Sequence, residues 1–326
     1  MISPDSNDDD FPHEEESHPL GHLPVLVEET VSHLITDPDG IYLDLTAGGG
    51  GHLKALADKL SPEARLYGMD KDKTALARAK ARLAGAKQEV KLFTGSFGNM
   101  DAFTAAMSLS QVNGILLDLG LSSYQLDDPS RGFSFRFDSP LDMRFDLSSI
   151  VTAEELVNTL FTSELIDIFR TYGEEKQAVK IARAIVDSRV IAPISTTIQL
   201  NKVILSVVRP PHQNKTLARV YQALRIVVNG ELDAVDAVLP ASLKMLKSGG
   251  RVAVITYHSL EDRRVKQFIR VESNPPCICP PSFPVCVCNP TPRLRKVTRK
   301  SITPSDLELQ SNSRSSSARL RVAEKI

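Results

Sequence analysis

The stretch IYLDLTAGGGGH (41–52) is the strongest indication of the fold in this sequence. Its first half is short and apolar, and four consecutive glycines follow it. A buried strand that runs into a glycine-rich turn and then a helix is typical of the first unit of a nucleotide-binding α/β sheet. We therefore predict a strand over 41–47 and a helix over 52–60.

The alternation of strand and helix continues beyond this unit. Apolar segments predict strands at 65–70, 90–95 and 114–120, and the segments between them favour helices at 73–83 and 100–107. Continuous apolar strands separated by helices imply a parallel sheet that is covered on both faces, with right-handed connections. The predicted fold class is α/β, a Rossmann-like, doubly wound and mostly parallel sheet.

The pattern changes after Gly120. Residues 121–146 are polar and rich in turn signals, so we expect a loop there. Helical spacing then dominates until a glycine-initiated strand at 249–259 returns the chain to the sheet, and ARLRVAE (318–324) alternates as an edge strand would. We predict an inserted all-helical module, with helices at 153–160, 163–172, 176–188, 217–228 and 232–246.

The composition is that of a globular protein outside the secretory pathway. The 326 residues are 42% hydrophobic and 24% charged, and no apolar run approaches the ~20 residues that span a bilayer. The acidic N-terminus lacks the basic and apolar regions of a secretory signal. All four cysteines lie between Cys277 and Cys288, which argues against a chain-wide disulfide framework. We therefore expect a cytoplasmic protein.

Charge is distributed unevenly along the chain. Residues 1–20 hold seven acidic side chains and no Lys or Arg, so we expect a disordered acidic tail. The segments 163–230 and 289–326 are basic, with ten Lys/Arg against five acids and nine against three. Such segments attract phosphate backbones, although a merely solvated surface accounts for them equally well. The predicted organisation is this tail, a discontinuous core over 21–138 and 229–326, and an inserted substrate-recognition module over 139–228.

Three carboxylates follow predicted strands, where an open α/β sheet binds its ligands. Asp70 lies about 20 residues beyond the glycines and suits ribose hydroxyls, which a dinucleotide and S-adenosyl-L-methionine both offer. Asp44 discriminates between them, because a carboxylate beside a helix N-terminus repels a pyrophosphate but favours a sulfonium and an ammonium group. With Asp118 after the fourth strand, the pattern favours S-adenosyl-L-methionine as the cofactor.

Other functions remain open on these residues alone. An NAD-dependent oxidoreductase would use the same sheet and glycines, although the chain has no obvious catalytic set for hydride transfer. A non-enzymatic RNA-binding assembly protein would explain the basic segments. The glycines could also form a tight turn with no ligand.

Five blocks in order carry a family resemblance, and the ending RLRVAE (319–324) extends it. The chain resembles the MraW-type methyltransferases of small-subunit ribosomal RNA. The resemblance implies a class I methyltransferase core, S-adenosyl-L-methionine, and N4-methylation of a cytidine in the decoding region of 16S ribosomal RNA. It leaves open whether the protein is a monomer or a homodimer. The blocks are HLPVLVEETV (22–31), DLTAGGGGH (44–52), GILLDLGLSSYQLDDPSRGFSFRFDSPLDMRFD (114–146), YQALRIVVNGEL (221–232) and GGRVAVITYHSLEDRRVK (249–266).

The resemblance also implies which residues contact the cofactor. Glycines would allow close approach of the backbone, Asp70 would receive the ribose hydroxyls, and Phe97 would lie near the adenine. The implied set is Gly50, Gly51, His52, Asp70, Phe97, Asp118 and Gln125.

Two polar residues are candidates for the methyl transfer itself. The Asp/Asn-Pro-Pro-aromatic motif of many amino methyltransferases is absent, and Asp118 begins the segment in its place. We hypothesise that Asp118 or a nearby carbonyl accepts from the target amine and that His258 positions the substrate. Ser259 and Asp262 have the spacing of a capping box, so part of this block starts a helix. Aromatic candidates for stacking on an extruded base are Phe133, Phe135 and Tyr257.

The four cysteines form a separate cluster, C-x-C-x6-C-x-C. Cys277, Cys279, Cys286 and Cys288 could hold a tetrahedral Zn²⁺, but C-x-C is not the usual zinc spacing. We predict no catalytic metal, and a structural zinc and a metal-free reduced loop both remain open.

Overall fold

A computed structural model describes residues 24–280 and 287–326 of the chain. The predicted acidic tail over 1–20 and Cys286 lie outside the described residues. Among the described helices, none is both long and apolar enough to cross a membrane.

In the described residues, seven strands form one sheet with the spatial order β3-β2-β1-β4-β5-β7-β6. β7 runs antiparallel to its neighbours β5 and β6, and the other pairs are parallel. The predicted fold class is thereby confirmed. The strands are β1 (Ile41–Asp44), β2 (Arg65–Asp70), β3 (Glu89–Thr94), β4 (Val112–Asp118), β5 (Leu246–Thr256), β6 (Leu294–Lys296) and β7 (Arg319–Lys325).

Helices follow the strands and fill the long connection between β4 and β5. The helices predicted from apolar spacing are present within a few residues of their predicted limits. In chain order the helices are α1 (Val27–Leu34), α2 (Gly51–Lys59), α3 (Lys73–Arg82), α4 (Met100–Ala106), α5 (Ser123–Asp127), α6 (Ala153–Thr159), α7 (Thr162–Thr171), α8 (Ala178–Ile191), α9 (Thr197–Val207), α10 (Gln213–Asn229), α11 (Glu231–Met245), α12 (Ser259–Ser273) and α13 (Asp306–Ser311).

The prediction of a continuous loop over 121–146 was wrong at its start. Ser122 and Gln125 form a capping box that begins α5, because the Ser122 hydroxyl accepts from the backbone N–H of Gln125 and the Gln125 side chain accepts in return. The same device, with Thr196 and Gln199, begins α9, which the sequence analysis did not predict.

Both faces of the sheet are buried. Leu43 and Ile115 belong to one hydrophobic cluster, together with residues of α11 and α12, whereas Tyr42 and Leu116 belong to a second cluster with α1 and α2. Neighbouring residues of one strand therefore point to opposite faces, as strand geometry requires.

A third hydrophobic cluster lies among helices α6 to α10. It also includes Phe133 and Leu141 from the segment before α6. Because these helices bury their apolar faces against one another, the connection between β4 and β5 has a core of its own. The domain limit at residue 139 stays a prediction. Helical members of the cluster include Val157, Leu165, Ile181, Leu200 and Leu224.

Candidate active site

A cleft opens at the carboxyl ends of β1, β2 and β4, where the strand order reverses direction. Its empty space is about 1200 Å³, including the open mouth. This is the position at which doubly wound sheets bind their ligands. Titratable and amide side chains along the cleft are His52, Asp70, Lys71, Arg82, Asp118, Tyr124, Gln125, Glu231, Tyr257 and Glu261.

The glycine loop forms one wall of the cleft. Gly48, Gly49 and Gly51 line it, but Gly50 does not. Gly50 has φ +80°, and a Cβ added there would lie 2.9 Å from the Cα of Ala79 on α3. Packing of the loop against α3 therefore requires glycine at position 50, whatever the cleft binds.

Asp70 fastens the loop to the end of β2. Its Oδ2 accepts from the backbone N–H of Gly48 at 2.8 Å, and its Oδ1 accepts from that of Asp72 at 2.9 Å. Burial raises the pKa of Asp70, and these two bonds work in the opposite direction. The side chain that the sequence assigned to ribose hydroxyls lines the cleft.

Asp44 is buried beside the cleft and does not line it. It is 1% exposed and accepts from the backbone N–H of Thr46 at 3.0 Å and from its hydroxyl at 3.3 Å. Burial raises the pKa of Asp44 to about 6, although nearby His52 lowers it. Any influence on a ligand is therefore exerted through its charge and not through a contact that the structure shows.

Asp118 stands at the end of β4 between two polar partners. The Tyr257 hydroxyl donates to its Oδ1 at 2.9 Å, and Nδ1 of His52 lies 3.6 Å from its Oδ2. Its side chain keeps 22% of its surface exposed, so it is accessible from the cleft. Burial raises the pKa of Asp118 to about 7, and the bond from Tyr257 lowers it. Sequence analysis named Tyr257 only as an aromatic; its hydroxyl contact joins residues 139 positions apart.

The orientation of His52 follows from its second ring nitrogen. Nε2 lies 3.0 Å from the carbonyl oxygen of Val25, which can only accept, so Nε2 carries the hydrogen. Burial lowers the pKa of His52, which favours the neutral ring. A neutral His52 then presents the lone pair of Nδ1 toward Asp118.

His258 does not line the cleft, although its ring lies beside Glu261, which does. It is the N-cap of α12: its Nδ1 accepts from the backbone N–H of Glu261 at 3.4 Å, and its Nε2 lies 3.2 Å from Glu261 Oε1. The capping box predicted for Ser259 and Asp262 is wrong by one residue, because the helix already begins after His258. Asp262 instead forms a two-bond ion pair with Arg321 at 2.7 and 3.0 Å.

Gln125 and Phe97 complete the predicted cofactor set. Gln125 is buried but lines the cleft, and its Nε2 donates to Asp72 Oδ2 at 3.4 Å. Phe97 begins a short 3-10 helix, lines the cleft and packs against the sheet core. Of the three aromatic candidates for base stacking, Tyr257 lines the cleft, whereas Phe133 and Phe135 belong to the helical cluster.

The charge of the cleft is predominantly negative. Burial raises the pKa of Glu261, but bonding and charge from His258 and the charge of Arg225 outweigh it and hold the pKa below its usual value. Glu231 forms an ion pair with the partly buried Arg225, which donates to it at 2.8 and 3.0 Å. Lys71 lines the cleft too, with its pKa lowered by burial. Arg82 lines the cleft as well, so four carboxylates face two cationic side chains, and this surplus favours a cationic ligand over a pyrophosphate.

A parallel sheet with an antiparallel seventh strand beside β5, and an acidic cleft at its switch point, define a methyltransferase-type α/β protein. The chain belongs to the MraW methylase family, whose model matches residues 19–326. The resemblance seen in the sequence is thereby confirmed, and so is S-adenosyl-L-methionine as the cofactor.

Relatives match nearly the whole chain. A protein of Caldicellulosiruptor saccharolyticus named Ribosomal RNA small subunit methyltransferase H is 48% identical over 94% of this chain and 99% of its own. Proteins with the same name from Carboxydothermus hydrogenoformans and Clostridium botulinum are 45% and 44% identical, each over 94% of this chain and over 98% and 99% of their own. Among solved structures, an rRNA methylase from Streptococcus thermophilus aligns with 96% of this chain and 99% of its own at 13% identity, with a TM-score of 0.39.

Proposed function

We propose that this protein transfers the methyl group of S-adenosyl-L-methionine to N4 of a cytidine in the decoding region of 16S ribosomal RNA. The names of its relatives support small-subunit ribosomal RNA as the substrate. The N4 atom and the decoding region rest on the sequence resemblance. The strongest structural support is Asp118, a partly exposed carboxylate that lines the cleft beside Tyr257 and His52 and whose pKa burial raises to about 7.

The walls of the cleft suit the parts of the cofactor. Asp70 would accept bonds from the ribose hydroxyls, and Phe97 would offer a flat apolar face to the adenine. The backbone of Gly48 and Gly49 would lie against the nucleoside because no Cβ intervenes. Gln125, held in the wall by the α5 capping box, would provide a further polar contact.

S-adenosyl-L-methionine supplies a methyl group bound to a positively charged sulfur. Anionic Asp118 accepts a hydrogen bond from the cytidine amino group, which makes the nitrogen lone pair more available. Transfer would form the N–C bond as the C–S bond of the donor breaks, and the sulfur would keep the electron pair of that bond. The amine is then positively charged, and Asp118 or water takes the excess proton. Tyr257 holds the carboxylate in place, and neutral His52 borders its other oxygen.

Ribosomal RNA would also contact the helical connection between β4 and β5. A surface groove between α8 and the end of α9 is lined by Lys180, Arg183 and Arg209, with Asp187 as the acid among them. Such a groove suits a phosphate backbone, and contacts of this kind weaken steeply as salt increases.

The test is methyl transfer from labelled S-adenosyl-L-methionine to small ribosomal subunits that lack the modification. We expect label on one cytidine of 16S ribosomal RNA, at N4, as mapped by nuclease digestion and mass spectrometry of the nucleosides. Label at C5, at a ribose oxygen or on protein would overturn the N4 assignment. RNA binding without any transfer would instead support an assembly protein.

A further inference from the structure

Three thiols gather away from the cleft, in the connection between α12 and β6. The Sγ atoms of Cys277, Cys279 and Cys288 all lie within 4.8 Å of one another, and those of Cys277 and Cys288 are 3.6 Å apart. A disulfide bond of about 2.05 Å is far shorter. Thiolates that share a tetrahedral zinc at about 2.3 Å lie about 3.8 Å from each other. The three sulfurs are thus close enough to share one metal ion, and the 3.6 Å pair, which is also a hydrogen bond from Cys288 to Cys277, is near the separation that zinc would require.

Backbone amides in this connection point at the sulfurs. The N–H of Cys279 donates to Cys277 Sγ at 3.4 Å, and the N–H of Val287 donates to Cys279 Sγ at 3.3 Å. A donor that faces sulfur stabilises the thiolate over the thiol, and it is the thiolate that binds metal. Such contacts also fix the direction of the metal ligands.

Hydrogen bonds and an ion pair join the two ends of this connection. Arg293 donates through its backbone N–H to the carbonyl of Glu272 at 2.8 Å, and its guanidinium pairs with the Glu272 carboxylate through two bonds. Between the end of α12 and the start of β6, residues 274–280 and 287–293 form neither helix nor strand. A connection this long between two elements is unusual in a compact protein, and a metal ion is one of the devices that order such segments.

We propose that Cys277, Cys279 and Cys288 bind one Zn²⁺ ion in a structural site. Each thiol would release its proton to solvent as its sulfur binds the ion, so metal binding weakens as pH falls. None of the three lines the cleft, so the ion takes no part in methyl transfer. Cys286, the other thiol of this stretch, lies outside the described residues.

The test measures metal on the full chain, purified with its thiols reduced and any affinity tag removed. After incubation with Zn²⁺ and removal of the excess, we expect about one zinc per chain by elemental analysis. Co²⁺ in place of zinc should give the near-ultraviolet absorption of sulfur-to-cobalt charge transfer. The variant Cys279→Ser should lose both signals, whereas the control Thr291→Ala, in the same connection, should keep them.

Two results would overturn this site. One is a chain whose thiols are fully reduced but which holds less than about a tenth of a zinc. The other is full zinc retention in both Cys279→Ser and Cys277→Ser. Neither readout involves RNA or S-adenosyl-L-methionine, so failure here leaves the proposed methyl transfer untouched, and failure of methyl transfer leaves the metal site untouched.

Discussion

The hydroxyl of Tyr257 donates a 2.9 Å hydrogen bond to Oδ1 of Asp118 and so joins the ends of β5 and β4 at the cleft. Burial raises the pKa of Asp118 to about 7, and this bond lowers it from where burial alone would place it. Burial, together with the charge of Asp118 and this bond, raises the pKa of Tyr257. Whether Asp118 is anionic at neutral pH therefore depends on its tyrosine partner.

Replacement of the carboxylate should abolish most of the activity. In Asp118→Asn the amide oxygen can still accept from Tyr257, but the side chain is neutral and cannot take a proton. We expect turnover to fall by about 10²–10⁴-fold, the range for loss of an acid–base group. Single-turnover methyl transfer measures this, and Asp58→Asn, an exposed acid on α2, is the matched control. Near-normal turnover together with normal cofactor affinity in Asp118→Asn would refute the role.

Removal of the tyrosine hydroxyl should move the pH profile. In Tyr257→Phe the pKa of Asp118 rises, because the bond that lowers it is gone. If anionic Asp118 is the acceptor, activity increases as pH rises through about 7, and in the variant this increase occurs at higher pH. Turnover measured from pH 6 to 9 tests this. The double variant that also carries Asp118→Asn should show no such increase of activity with pH. An unchanged profile in Tyr257→Phe would mean that Asp118 does not titrate in the reaction.

The sheet and its ligand edge were predictable because their signals are local. Apolar runs, glycines and helical spacing identify the elements, and parallel strands bring Asp70 and Asp118 to one edge. Capping boxes such as Ser122 with Gln125 are local too, and their spacing could have predicted α5 and α9. The position of Asp44 beside the cleft could not be predicted in this way. The sequence of a strand that is buried on both faces does not show which of its side chains reach the cleft.

Contacts between distant segments could not be predicted from these patterns. The bond between Tyr257 and Asp118 depends on the pairing of β4 with β5, which the helical connection separates in sequence. The clustering of Cys277 with Cys288 depends on the path of a connection that has no periodic pattern. In both cases the residue types identified candidate residues in the sequence. Only the folded chain shows how far apart their side chains lie.

Buried Asp44 should make stability depend on pH. Its pKa is about 6 in the folded state against 3.8 ordinarily, so its contribution to stability is fully present below about pH 4 and is lost as pH rises through 6. At pH 8 the ionised side chain costs at most about 3 kcal/mol. Asp44→Asn, whose amide oxygen can still accept from Thr46, should therefore have a higher free energy of unfolding than the parent at pH 8.

Denaturant unfolding at pH 5 and pH 8, without cofactor, tests this expectation. The difference between Asp44→Asn and the parent should be larger at pH 8 than at pH 5. Cofactor affinity of the variant should fall, since an anion near the cleft is lost. An equal difference at both pH values would mean that Asp44 is not the titrating group.

Substitution by alanine should lower the stability of the protein at Gly50 but leave it almost unchanged at the adjacent Gly49. Gly50→Ala places a Cβ in the left-handed region and 2.9 Å from the Cα of Ala79, so we expect a loss of about 2–4 kcal/mol of stability. At Gly49 the φ angle lies outside the left-handed region, and a Cβ would come no closer than 3.6 Å to Tyr124, an ordinary contact. Gly49→Ala should thus keep its stability within about 0.5 kcal/mol, although it lines the cleft. Thermal or denaturant unfolding without cofactor compares the two variants. Equal losses of stability would show that packing of the loop against α3 is not the reason why glycine is required at position 50.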